Sequence, residues 1–312
     1  MSRSLVLAHA LLLALFGLSI GCGGTANGGS GGAGASSSSG AEQASPGPRL
    51  LRVSDADTTI YLFGTVHLLA PSTAWRDGRI EAAVASSRAI YFEVPTEESA
   101  LAPHASLLRE LAMNPAGVTL SSLLPPATRD RVQTAAEQMG VPFVQLEPMR
   151  PWIASITLAM GMLIQRGADP NAGVDRDLAA QAVRDGREVR YLEDIPTQLH
   201  AIGDLPVETQ VELLTQSLDE IEETPEQFEA LVAAWQRGDT SFLERELVLE
   251  MREEAPQLYD SMLVRRNAAW VEVLAAVLAN EPGTFFVAAG AAHFVGPDAV
   301  QTGLATRGYH VD

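Results

Sequence analysis

The sequence predicts an α/β fold, a central sheet with flanking helices and a large helical insertion, on three observations. Short β-rich apolar runs alternate with helically spaced segments at both ends of the chain. Helical periodicity alone fills most of 206–280. A content of 46% hydrophobic and 19% charged residues over 312 positions is enough for a sizeable buried core. Leu50-Leu51-Arg52-Val53 and Thr59-Ile60-Tyr61-Leu62-Phe63 flank the turn-forming Ser54-Asp55-Ala56-Asp57, an opening hairpin whose second strand is expected to end at Gly64. Residues 74–86 space Ile80, Ala83 and Val84 as a helix does and lead into the strand Arg88-Ala89-Ile90-Tyr91-Phe92-Glu93-Val94. Helices follow at 104–113 and 127–139, the second opening after Pro125-Pro126 and closing at Gly140. From Pro151 to Gln165 the chain is apolar on nearly every side, so this helix is either buried in the domain or packed against a partner; it is shorter than the ~20 residues a bilayer requires. Next come an amphipathic helix over 174–185 and a strand Glu188-Val189-Arg190-Tyr191-Leu192-Glu193 ending on an acid. The helices of 206–280 break near Thr224-Pro225, Gly238-Asp239 and Ala255-Pro256. A strand Thr284-Phe285-Phe286-Val287-Ala288-Ala289, a helix from Pro297 to Arg307 and a short strand Tyr309-His310-Val311 close the chain.

The N-terminus reads as an address. Residues 1–21 carry Arg3, an apolar run and small residues before Cys22, the plan of a secretory signal. Leu18-Ser19-Ile20-Gly21-Cys22 resembles a bacterial lipoprotein signal, in which the cysteine becomes acylated after cleavage. Residues 22–48 are mostly Gly, Ser and Ala and cannot repay the entropy of ordering; as a tether they would span roughly 25–30 Å. The expected mature protein is therefore an extracytoplasmic domain, residues 49–312, held to a membrane through lipidated Cys22.

Charge narrows the partners. With 39 Asp and Glu against 21 Lys and Arg, the net charge of −18 opposes binding to a phosphate backbone, which excludes nucleic acid. Cys22 is the sole cysteine, so a disulfide within the chain and a cysteine-based zinc site are both excluded. Any metal must be held by histidine and carboxylates.

Two segments repeat one pattern: an apolar strand running into Gly64-Thr65-Val66-His67, and another running into Gly290-Ala291-Ala292-His293. In an open α/β sheet, side chains just beyond the strand ends line the ligand crevice, and a glycine there permits close backbone approach. Glu93 ends a third apolar strand. Two imidazoles and a carboxylate suit a divalent metal, or general acid–base chemistry without one. By contrast, His104 and His200 sit in helical stretches without an evident acidic partner. Trp152, Trp235 and Trp270 read as packing anchors.

With Met149-Arg150-Pro151-Trp152, Gly173-Val174-Asp175, Leu192-Glu193 with Gln198, Trp235 with Gly238-Asp239, Arg266-Asn267 and Gly296, these motifs resemble the TraB/PrgY/GumN family from about residue 50 to 312. The GumN branch is the most similar, and the TIKI proteases are members. The resemblance implies a fold related to erythromycin-esterase-like and haem-binding ChaN-like proteins, with His67, Glu93 and His293 at the centre. It implies a metal-dependent hydrolase, most plausibly acting on peptide or protein substrates. Mn²⁺, Co²⁺ or Zn²⁺ would sit on His67, His293, Glu93 and Asp175, with Arg150 or Arg266 steadying an oxyanion. The rival expectation is a haem- or other ligand-binding lipoprotein without catalysis.

Overall fold

The computed structural model describes residues 47–95, 97–223 and 226–312. The signal segment, Cys22, nearly all of the tether and the break at Thr224-Pro225 lie outside the described residues. Six strands form one mixed sheet in the order β4-β3-β5-β2-β1-β6. β1 (Leu50–Ser54) and β2 (Thr58–Thr65) make the expected antiparallel hairpin. Its turn is fixed by Asp55, whose Oδ1 accepts from the backbone N–H groups of Asp57 and Thr58 at 3.1 and 2.9 Å. β6 (His310–Val311) pairs antiparallel with β1 at the edge. β3 (Ala89–Phe92), β4 (Glu188–Tyr191) and β5 (Gly283–Gly290) run parallel to β2.

Strand periodicity builds a three-layer body. Phe63, Ile90, Phe92, Phe286 and Ala288 face one side, packing with Ile80, Val84, Trp152, Leu178 and Trp235 from four helices. Their neighbours Ile60, Leu62, Tyr91, Phe285 and Val287 face the other, against Trp270, Leu274 and Leu278 of the helix Arg265–Asn280 and Leu304 of Val300–Thr306. Both faces being covered explains why these strands read as continuous apolar runs rather than alternating ones.

The helices fall between the strands as the sequence predicts, except that the later group begins before residue 206. One group lies between β3 and β4, and a second, starting already at Ile195–Gly203, lies between β4 and β5. The helix Pro151–Gln165 is apolar all round because three clusters claim it. Trp152 and Ile156 meet the sheet side, Ala154 and Leu158 meet Leu214 and Leu218 of Val207–Glu223, and Met162 and Leu163 meet Leu68 and Phe228. Among the described residues no helix is long and apolar enough to cross a membrane.

Gly64 does not end β2, which runs on through Thr65. Its lack of a side chain serves close approach instead: a Cβ there would lie 2.9 Å from Ala291 Cα, in the turn that carries His293.

Candidate active site

Four adjacent parallel strands deliver the candidate residues at their C-terminal ends. Thr65 of β2 lies opposite Gly290 of β5, so the two Gly-x-x-His segments leave the sheet side by side. Glu93 follows β3 directly and Glu193 lies two residues beyond β4, and Glu193 N–H donates to Glu93 O at 3.0 Å, extending the contact between the two segments past the strands. This is the edge of an open α/β sheet at which ligands bind. His67, His293, Glu93, Asp175 and Arg266 are all buried there.

His67 is oriented by Asp175. The helix Val174–Arg184 starts against the chain after β2: Val174 N–H donates to Val66 O at 3.0 Å, and a Cβ on Gly173 would lie 2.3 Å from His67 O. Only glycine lets the helix start this close. Asp175, in its first turn, then holds His67 Nδ1 through Oδ2 at 2.5 Å, while Oδ1 accepts from the Thr65 hydroxyl at 2.7 Å. The opposite nitrogen, His67 Nε2, is buried with no hydrogen-bond partner. Burial favours the neutral ring, but the Asp175 carboxylate, aided by Glu93, outweighs it and raises the His67 pKa above its usual 6.5.

His293 is held in the opposite state. Asn267 Nδ2 donates to the Asp298 carbonyl at 2.8 Å, which turns Asn267 Oδ1 toward His293 Nδ1 at 2.5 Å. Nδ1 therefore carries the proton, and Nε2 offers a lone pair to Arg266 Nη1 at 3.3 Å. Burial and the positive charges of Arg266 and His67 push the His293 pKa well below 6.5. The Trp270 ring packs on this imidazole with centroids 4.2 Å apart.

Arg266 ties the acids together. Its Nη2 donates to Glu93 Oε2 and to Glu193 Oε1, each at 2.6 Å, and its Nε to Glu193 Oε1 at 2.9 Å. Nη1 also reaches Met262 O at 3.0 Å. Glu93 receives further donors from Gly290 N–H at 2.7 Å and Gln198 Nε2 at 3.2 Å, and Glu193 one from Trp270 Nε1 at 3.1 Å. Burial lifts the Glu93 carboxyl above its ordinary range against the pull of Arg266, His67 and the Gly290 N–H. Two carboxyl groups thus share one guanidinium.

Five of the six expected site residues thus come together, with two changes of role. Asp175 spends both oxygens on His67 and Thr65, so it orients a histidine. Arg266 has all three nitrogens committed and anchors Glu93 and Glu193 instead of facing an oxyanion. Arg150 stands apart: its Nε and Nη1 donate to the carbonyls of Met113 and Gly203, each at 3.3 Å, at the start of the helix Pro151–Gln165. Thr65, Glu193, Gln198 and Asn267 belong to the cluster although sequence reasoning assigned them no role. His200 does have an acidic partner, Asp204 at 2.9 Å, but the pair is exposed.

For a divalent metal the donor set falls short. His67 Nε2 and His293 Nε2 are suitable nitrogens, yet Glu93, expected as the third ligand, has both oxygens engaged by protein donors. Arg266 also sets a full positive charge 3.3 Å from His293 Nε2. Among the described residues no group of three or more His, Cys, Asp or Glu is arranged to hold a metal ion.

A cavity of about 810 Å³ lies against the cluster and shares Glu193 and Arg266 with it.

A protein from Treponema pallidum (strain Nichols), itself named only as uncharacterized, is 25% identical over 260 residues, covering 78% of this chain and 75% of that protein. No solved structure matches the chain. The TraB/PrgY/gumN family matches residues 50–312, the span that contains all six strands and every residue of the cluster, and the chain belongs to that family.

Proposed function

We propose that this protein is a hydrolase of peptide bonds that uses His67 as a general base, with Asp175 as its positioning partner. The carrying observation is the His67 ring itself: one nitrogen locked on a buried carboxylate, the other buried and unpartnered. A water on Nε2 would give up its proton to the ring as its oxygen bonds to the carbonyl carbon. The same proton then passes to the departing amine as the C–N bond breaks. The imidazolium formed in between is stabilised by Asp175 and by the negative surroundings that Glu93 supplies. Arg266 holds Glu93 in place, and His293, kept neutral, accepts from Arg266. Peptide amides are the substrate class favoured by the resemblance to the proteolytic branch of the family. Haem capture finds less support, because the adjoining cavity is lined by Glu193, Asp194, Asp204 and Asp260, which would repel its propionates. The signal-like N-terminus supports an activity outside the cytoplasm on a lipid anchor; labelled palmitate should enter the protein in cells and be lost in Cys22→Ser. Equal labelling of both would sink the anchor.

The purified chain, incubated with a quenched-fluorescent peptide library in excess chelator, is expected to cleave. His67→Ala should lower that rate by about 10²–10⁴, the usual worth of a general base. Cleavage that appears only on adding Mn²⁺, Co²⁺ or Zn²⁺ would replace this mechanism with a metal-centred one. No cleavage under either condition would remove the peptidase reading.

A further inference from the structure

We propose that the cavity beside the buried cluster is a recognition site for a cationic group, taking a peptide segment that presents a lysine or arginine side chain. The proposal rests on the peptidase reading and names its substrate class. The volume, about 810 Å³, falls within the range of small-molecule and peptide pockets. The walls come from the residues after β4, the helix Ile195–Gly203 with its C-terminal turn, and the stretch Asp260–Arg266.

Charge selects the occupant. Two guanidinium groups line the cavity, and both are matched by carboxylates: Arg265 pairs with Asp260 at 2.5 Å, and Arg266 with Glu193 and Glu93. Asp194 and Asp204 remain in excess. Asp194 caps its helix, accepting from Thr197 N–H at 2.8 Å, an arrangement that favours the ionised form. Among the described residues Asp204 pairs with His200, which is a cation only when protonated. An incoming anion would find no uncommitted cation on these walls, whereas an ammonium or guanidinium would find two carboxylates. Leu192, Leu205 and Pro206 supply apolar wall for the methylene stem of such a side chain. A ligand seated there abuts Glu193 and Arg266, and so lies one side chain away from Glu93 and His293.

The test uses the full chain and two blocked fluorescent hexapeptides, identical except for a central arginine or a central glutamate, with binding followed by anisotropy at 0.15 M salt. The arginine peptide should bind at least tenfold more tightly. Asp194→Asn with Asp204→Asn should remove most of that preference; asparagine caps a helix as well as aspartate does, so the fold is kept. A control pair, Asp130→Asn with Glu137→Gln on the exposed face of the helix Pro126–Gln138, should leave the preference intact. Equal binding of both peptides, or equal weakening by the control pair, would overturn the proposal. Anisotropy needs no turnover, so binding without cleavage would sink only the hydrolase reading, and cleavage without charge preference only this one.

Discussion

Asp175→Asn is expected to lower kcat for peptide cleavage by about 10³-fold with little change in KM. Thr65 donates its hydroxyl to Asp175 Oδ1, so the amide of an asparagine would be turned with its Nδ2 toward His67. That group donates to Nδ1 and forces the proton onto Nε2, where the base must be free. The pH profile separates this from a merely structural role. A general base works deprotonated, so the wild-type rate falls as pH drops through the His67 pKa, which Asp175 holds above 6.5. Without that carboxylate, burial dominates and the acidic limb of the residual rate should move to lower pH. Unchanged kcat and an unmoved limb would take the His67–Asp175 pair out of the reaction.

The second large effect is on stability. Arg266→Met should cost about 3–5 kcal/mol, because it strands Glu93 and Glu193 as buried carboxylates without a counter-charge. The direction with pH follows from burial. In the variant the Glu93 carboxyl, already lifted by burial, loses its main counter-charge, so the variant keeps its stability below about pH 4 and loses it as pH rises. Urea unfolding of the two proteins should therefore give curves that converge in acid and separate toward neutrality. A pH-independent gap, or one under about 1 kcal/mol, would mean that the two acids are solvated in the folded protein.

The strands were legible because each is a short apolar run bounded by turn formers, and the two Gly-x-x-His segments marked where the chain leaves the sheet. Their adjacency was not legible, since nothing local in Thr65 or Gly290 specifies that β2 and β5 are neighbours across more than two hundred residues. The same limit explains Asp175. Its helix could be read from periodicity, but its bond to His67 depends on Gly173 admitting that helix against the strand end. Arg266 and Glu193 were visible as charges in apolar surroundings. That Arg266 ties Glu193 to Glu93 is a property of three segments brought together only in the fold. The helices around Arg266 blur for another reason. Glu244–Leu249 and Asp260–Val264 are π-helical, which shifts the apolar repeat away from 3.6 residues.

The position of β5 also dictates a sequence of events during synthesis. β5 enters between β3 and β2, although it is made long after both. Until residues 283–290 emerge, β2 and β3 each present an unpaired edge, a state open to wrong pairing. His293 arrives with that same strand. A chain that stops short of β5 therefore holds His67, Asp175 and Glu93 but no assembled centre, which forms only once that strand is in place.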